Sequence, residues 1–507
     1  MRKINQLFQS LPIRFRPEKA GNLNIIVHFV LKDIKDTHKF SVKIHDSKVE
    51  VNEGISGDAN CIVKSNVSTY IKLETGEINP QLALLTGKVK VSDINEMLRF
   101  TKCFRKYKKQ EGSHILKKAE KKISRPEKVG PLTGVRILDL SRLLPGPMAT
   151  QMLGQMGAEV IKIEDPENGD PIRSYPPVEN GESLYYLALN RSKRSVALDL
   201  YSEEDKNILL SLVEKSDVLI EQFRPGVMKA LNLDYDSLKK INPKLIMISL
   251  SGYGQFGELY SRAGHDINYM ATSGVLDLNR DADGKPVVPD FQLADIAGGS
   301  YMLLTAVTTA LYSVKNTGEG LHIDLSMTDA LLPFTTMSFT RKSRENDIGL
   351  YKKAPLSGGL ANYDVYKTKD GGWMALGALE PKFWNTFCDA VGKKKWKAYL
   401  LPEEAHKHGL KTQVIELFLR KTKAEWTEIS KKYDMCLTPV STLEDVLNNN
   451  HFLERGAIFK DTDEETLLNF PIKFGKLDLG VNSWKAPLLD EDNVLEEFGI
   501  KKEENDL

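Results

Sequence analysis

The chain has 507 residues, 41% of them hydrophobic and 27% charged, with a formal net charge of +1 at neutral pH. That length exceeds one ordinary domain and predicts two or three. A near-neutral balance gives no electrostatic case for a nucleic-acid partner, and no apolar run approaches the roughly 18 residues that a transmembrane segment requires. The four cysteines, Cys61, Cys103, Cys388 and Cys436, are widely spaced and form no C-x-x-C pair. This argues against a zinc site or a disulfide framework and favours a reducing compartment. Cys436 is expected to fill an apolar slot.

The first residues are basic, with no acid before Glu18, a composition that a weak mitochondrial presequence shares. Ile4, Leu7, Phe8 and Leu11 fall at helical spacing, which favours the first amphipathic helix of a domain. Branched, alternating runs at residues 25–31, 40–44, 48–51 and 61–64 predict strands, and helices are expected over residues 67–74 and 79–85. Gly76 and Gly87 bracket the second helix, and Pro80 suits its first turn. Composition alone defines only a small α+β domain. Residues 75–91 in addition resemble the sterol carrier protein 2 family, and the resemblance extends over about residues 5–108. It implies a lipid-binding domain at residues 1–116, with a small sheet and helices around an apolar tunnel for lipid or fatty acyl-CoA.

Residues 117–130 are charged, broken by Pro126 and followed by Pro131. They read as a linker; a basic patch for acidic lipid or RNA fits less well, because Glu120 and Glu127 interrupt it. From residue 132 the pattern becomes α/β. Strands are expected at residues 135–140, 160–163, 196–200, 218–221 and 245–250, with a helix at 147–156 and a capping-box-like helix start at residues 202–205. Strands separated by helical periods predict a parallel, doubly wound sheet. The first turn, residues 141–147, carries no G-x-G-x-x-G, and no Walker loop occurs. A dinucleotide- or ATP-dependent enzyme is therefore not indicated.

Three separated segments carry the chemistry: Gly264-His265-Asp266 with Ile267, Asn268 and Tyr269, then Ala294-Asp295, then Gly377 to Glu380. A histidine and two carboxylates in glycine- and alanine-rich surroundings are suited to proton transfer near neutral pH. Singly, each has a plain structural reading: a lone histidine is often structural, residues 263–266 could be an ordinary turn, and Asp295 could be a helix N-cap. Together, in this order, the segments resemble the family III CoA-transferase superfamily, and within it the α-methylacyl-CoA racemases. Further matching blocks lie at residues 134–162, 190–200, 216–227, 317–320 and 498–499, so the resemblance covers about residues 131–500. It implies a large Rossmann-like domain (residues 131–335 and 440–507), a small domain (residues 336–439) and two interlocked subunits.

The resemblance also implies roles. Asp295 serves one face of the carbon α to a thioester, and His265, assisted by Glu380, serves the other. No metal and no cofactor is expected, CoA being part of the substrate. Arg224 resembles a position that meets CoA phosphate. Leu198, Asp199, Leu200 and Tyr201 match a strand end whose backbone contacts CoA, and residues 264–269 line the thioester. Two departures stand out: Asp165 occupies a position where racemases commonly carry a phosphate-binding arginine, and residues 488–492 lack the usual Gly-Glu-His-Thr. Arg173 is the candidate replacement. The presence of all three of His265, Asp295 and Glu380 favours a 2-methylacyl-CoA racemase; the alternatives are an acyl-CoA:carboxylate CoA-transferase with Asp295 as nucleophile and a non-catalytic acyl-CoA or lipid carrier. The family resemblance implies a peroxisomal or mitochondrial location, and the C-terminal residues do not spell a Ser-Lys-Leu signal.

Overall fold

The computed structural model describes residues 2–21, 23–32, 37–74, 78, 80–104, 129–179, 182–281, 283–345, 354–460, 465–477, 479, 485–490 and 493–500. The expected linker at residues 117–130 lies outside them except for its last two residues, as does the Gly76 turn. In chain order the strands that matter below are β1 (Ile25–Lys32), β2 (Thr37–His45), β3 (Lys48–Glu53), β4 (Cys61–Asn66) and β5 (Val89–Val91). They are followed by β6 (Arg136–Leu140), β7 (Glu159–Glu164), β8 (Lys193–Ala197), β9 (Val218–Glu221), β10 (Ile246–Ser251) and β11 (Leu321–Ser326). Last come β12 (Tyr363–Lys367), β13 (Trp373–Gly377) and β14 (Leu437–Pro439). The chain forms two compact units, one of Met1–Glu127, Ile161–Ser211 and Trp484–Leu507, the other of Lys128–Val160 and Leu212–Ser483.

In the first unit, β1–β5 form a sheet of order β3-β2-β1-β4-β5. Strand β1 is antiparallel to β2 and parallel to β4. Alternation sets the register: Val27 opposes Val42 and Phe29 opposes Phe40, so one apolar face is built from both strands. The helix Arg2–Gln9 lays Ile4, Leu7 and Phe8 on that face, each at most 2% exposed. Phe8 stacks on Phe40 at 3.9 Å and meets Phe29 edge-on at 5.1 Å. The helical periodicity at residues 4–11 was thus a core signal.

The same unit holds the end of β7 and all of β8. The strand expected at residues 196–200 lies instead at Lys193–Ala197. Its charged start disguised it. Lys193 is fully buried with Nζ donating to Asn190 Oδ1 at 2.8 Å, Arg194 pairs with Glu497 at 2.7 Å, and Ser195 Oγ donates to Glu164 Oε1 at 2.7 Å. Buried charges are tolerated when paired in this way.

In the second unit, β6, β9, β10 and β11 form a parallel ladder in the order β6-β9-β10-β11. Strands β9 and β10 are buried along their whole lengths, as parallel strands covered on both faces require. The fold is mixed α/β, as the alternation of strand and helix predicts. Residues 363–439 carry a further antiparallel sheet, β12-β13-β14. Its separate core stacks Trp384, Phe387, Trp396, Phe418 and Trp426.

Candidate active site

The second unit gathers the proton-transfer candidates at helix starts. His265 has extended backbone angles (φ −129°, ψ 175°) and precedes the helix Asp266–Thr272. Its N–H donates to Asn268 Oδ1 at 3.0 Å, so the Asn268 side chain ties down the turn. Asp266 does not cap its own helix. Its Oδ1 accepts the N–H groups of Ala294 (2.7 Å) and Asp295 (3.0 Å), donors that the first turn of a helix leaves unpaired. The helix they open, Ala294–Tyr301, is a wide π-helix that continues into the α-helix Met302–Thr317. Asp295 therefore sits one residue inside this helix, and its N-cap is Leu293. The reading of Asp295 as a plain N-cap does not hold.

Burial pushes the Asp295 carboxyl up to about 7, and the neighbouring Asp266 carboxylate adds to the rise. Burial also raises Asp266, against the two backbone N–H groups that favour its charged form. The arrangement holds two carboxyls of unequal role: Asp266 clamps backbone, and Asp295 is left poised between acid and base at neutral pH.

Small residues let the backbones close in. A Cβ on Gly298 would meet Met327 O at 2.8 Å, and one on Gly299 would meet Pro145 Cβ at 2.6 Å. Ser300 Oγ donates to Pro145 O at 2.8 Å, fastening the π-helix to the start of the helix Pro145–Gln155. On the other side, a Cβ on Gly264 would meet the Tyr269 ring at 2.6 Å. Tyr269 donates its hydroxyl proton to Gly264 O at 2.5 Å and packs edge-on against Tyr253, ring centroids 5.2 Å apart. Burial, then Asp295, Tyr253 and Asp266, push its hydroxyl up to about 12, while Arg224 opposes the shift. Tyr269 is thus a neutral wall beside Asp295, and Arg224 is close enough to act on it electrostatically.

The expected residues fall into groups. Gly264, His265, Asp266, Ile267, Asn268 and Tyr269 lie on one turn and helix start, Asp295 is hydrogen-bonded to it, and Arg224 is nearby. Glu380 stands apart as the exposed N-cap residue of the helix Pro381–Ala390, and among the described residues no hydrogen bond or ion pair joins it to His265. Leu198, Asp199, Leu200 and Tyr201 belong to the first unit. They follow β8 as a turn, with Asp199 N donating to Asp205 Oδ2 at 2.7 Å and Tyr201 80% exposed.

Arg173 requires correction as a phosphate ligand. It makes a two-pronged pair with Glu164, Nε and Nη2 each at 2.8 Å, and also donates to Tyr186 Oη and Pro487 O. Against the upward pull of burial, Arg173, Lys162 and Ser195 hold Glu164 below its ordinary range. Such a guanidinium is committed to structure. Asp165 is equally occupied, its Oδ1 accepting the N–H groups of Glu167 (3.0 Å) and Asn168 (2.8 Å). Asp490, in the segment that departs from the usual C-terminal motif, accepts the Ala197 N–H at 3.0 Å. Cys436 does not fill a sealed slot: it is partly exposed, with left-handed backbone (φ 52°), and its carbonyl accepts the Gly377 N–H at 2.9 Å.

A parallel α/β sheet with a buried aspartyl carboxyl at a glycine-rich helix start defines the class. The profile of CoA-transferase family III matches residues 132–493, and that of the SCP-2 sterol transfer family matches residues 4–105. The chain belongs to CoA-transferase family III, a family of enzymes, and carries an N-terminal sterol carrier protein 2 domain. It is 34% identical over 388 residues to the α-methylacyl-CoA racemase of Homo sapiens, covering 74% of this chain and 94% of that one. It is also 33% identical over 373 residues to the acetyl-CoA:oxalate CoA-transferase of Acetobacter aceti, covering 71% and 94%. Among solved structures, a CaiB/BaiF family protein from Brucella suis superposes with a TM-score of 0.63 at 29% identity, covering 71% of this chain and 97% of that one.

Proposed function

We propose that the enzyme is a 2-methylacyl-CoA racemase, interconverting the 2R and 2S thioesters by 1,1-proton transfer. The observation that carries this reading is the juxtaposition of Asp295, lifted to about 7, with the turn that holds His265. One base takes the Cα proton, and the electron pair of the broken C–H bond moves into the thioester as an enolate. The other group then delivers a proton to the opposite face, and no cofactor is consumed. Asp295 serves one face and His265 the other. Glu380 is assigned to assist His265, in the interlocked dimer that the family resemblance implies. Arg224 and residues 198–201 are assigned to CoA, and the N-terminal domain to lipid or fatty acyl-CoA.

The transferase reading uses Asp295 as a nucleophile that forms an acyl anhydride, and the transferase relatives keep it as the rival. Incubating a resolved 2-methylacyl-CoA with the enzyme in D₂O, without any free carboxylic acid, separates the two. Epimerisation with deuterium at Cα is expected. Turnover that strictly requires a carboxylate acceptor, with Cα unlabelled, would replace the racemase by the transferase. Neither reaction on any acyl-CoA would leave a carrier.

A further inference from the structure

The turn that carries Arg224 is fastened by a buried carboxyl that the proposed proton chemistry does not use. Glu221 ends β9 and is 3% exposed, and its Oε2 accepts the Phe223 N–H at 2.7 Å. The Phe223 ring lies under the Arg142 guanidinium, 5.1 Å from the ring centroid. Ser249, the register partner of Glu221 on β10, is 2% exposed and favours the ionised form of the same carboxyl. Ser249 Oγ is in turn 2.9 Å from His322 Nε2 on β11. The three side chains lie on neighbouring strands, and the carboxyl at the end of the row holds the backbone of the Arg224 turn. These are the residue types of a nucleophilic triad, but Ser249 is buried inside the sheet, so the set positions rather than attacks.

We propose that Glu221 is a positioning residue for CoA: its ionised carboxylate, supported by Ser249 and His322, fixes the Phe223–Arg224 turn in the conformation that grips the CoA phosphates. The proposal rests on the reading of Arg224 as a CoA contact. Burial lifts Glu221 to about 7, Ser249 and the Phe223 N–H oppose the rise, and Asp324 on β11 adds to it. The switch from a weaker bond to a charge-assisted one therefore falls in the neutral range. Other titratable groups on the neighbouring strands have their own partners. On β6, Asp139 accepts from Ser141 and Thr150; Asp324 accepts the Gln255 N–H. His322 stacks on Tyr235, and burial lowers its pKa while Asp324 and Asp236 oppose.

Binding of free CoA to the intact protein between pH 6 and 8.5 tests this, with Glu221→Gln measured in parallel so that titration of CoA itself cancels. Relative to that variant, wild-type affinity should rise about three- to tenfold as pH passes 7. Glu221→Gln should raise KM by a similar factor at pH 8 and leave kcat unchanged. Ser249→Ala should move the midpoint of the wild-type profile to higher pH, a displacement that a merely structural role would not produce. If Arg224→Ala weakens CoA binding while Glu221→Gln leaves both affinity and profile intact, the positioning role is wrong. A profile of opposite sign, with affinity falling as Glu221 ionises, overturns it as simple charge repulsion. If Arg224→Ala itself leaves CoA affinity unchanged, the CoA reading of the turn fails and the positioning role goes with it.

Discussion

Asp295 shows how one residue's surroundings set its titration and, through it, the pH dependence of stability. Its carboxyl titrates near 3.8 when exposed and near 7 in the fold, with burial as the main cause and Asp266 second. The folded state thus binds this proton more tightly than the unfolded chain does. The resulting stabilisation is complete below pH 3.8 and is lost as pH rises through about 7. Asp295→Asn removes the charge at every pH. It should lower racemisation by about 10²- to 10⁴-fold. It should also make the protein more stable than the parent at pH 8, by an amount on the order of 1–4 kcal/mol, with the gap closing toward pH 4. Paired urea titrations at pH 8 and pH 4.5 check this. A parent that is equally stable, or more stable, at pH 8 would mean that Asp295 is not held as a strained carboxyl. The sequence showed His265 and Asp295 as candidates through their neighbours. It could not show that Asp266, one residue from His265, clamps the backbone at Asp295, because that contact spans 28 residues and depends on two helix starts meeting.

At the scale of elements, the strands were legible where burial was apolar and illegible where it was ionic. Strand β9 matches its expected span because Val218, Leu219 and Ile220 are all apolar and fully buried. Strand β8 was displaced because Lys193 and Arg194 look like surface residues, yet inside the unit Lys193 hydrogen-bonds Asn190 and Arg194 pairs with Glu497. The π-helix left no local signal either, since its helical periodicity differs from an α-helix only in the width of the turn. What the sequence did carry was Gly298-Gly299, whose purpose is close approach. A methyl at Gly298 would meet the Met327 carbonyl oxygen at 2.8 Å, a contact that backbone cannot easily relieve. Gly298→Ala should therefore destabilise the second unit by about 1–3 kcal/mol and depress turnover through displacement of Asp295, since both residues lie on one eight-residue helix. An unchanged denaturation midpoint with full activity would show that Ala294–Tyr301 adjusts freely and that the tight contact sets nothing.

For the whole molecule, the question is whether the amino-terminal domain is a separate module or a part of the catalyst. Among the described residues, its hydrophobic core is built from residues between Ile4 and Phe104, including the stack of Phe8, Phe40 and Tyr70. One polar group enters that core with its own partners: Tyr70 Oη donates to Glu74 at 3.1 Å, and Arg14 pairs with Glu74 at 3.0 Å. Burial, reinforced by Glu74, holds the Tyr70 hydroxyl well above its ordinary value, so it stays a neutral donor. A domain with its own core and its own satisfied buried polar groups meets the physical requirements for independent folding. Residues 1–120 expressed alone should therefore unfold cooperatively and bind a fatty acyl-CoA or similar lipid. All the proposed catalytic residues, His265, Asp295 and Glu380, lie beyond residue 124, so an enzyme truncated there should racemise short, soluble acyl-CoAs at close to the full-length rate. Its deficit should appear with long-chain substrates, as a raised KM. A truncated enzyme that folds, measured by circular dichroism and a cooperative melt, yet cannot turn over the short substrates would show that catalysis depends on the first domain, and the modular reading would have to be abandoned.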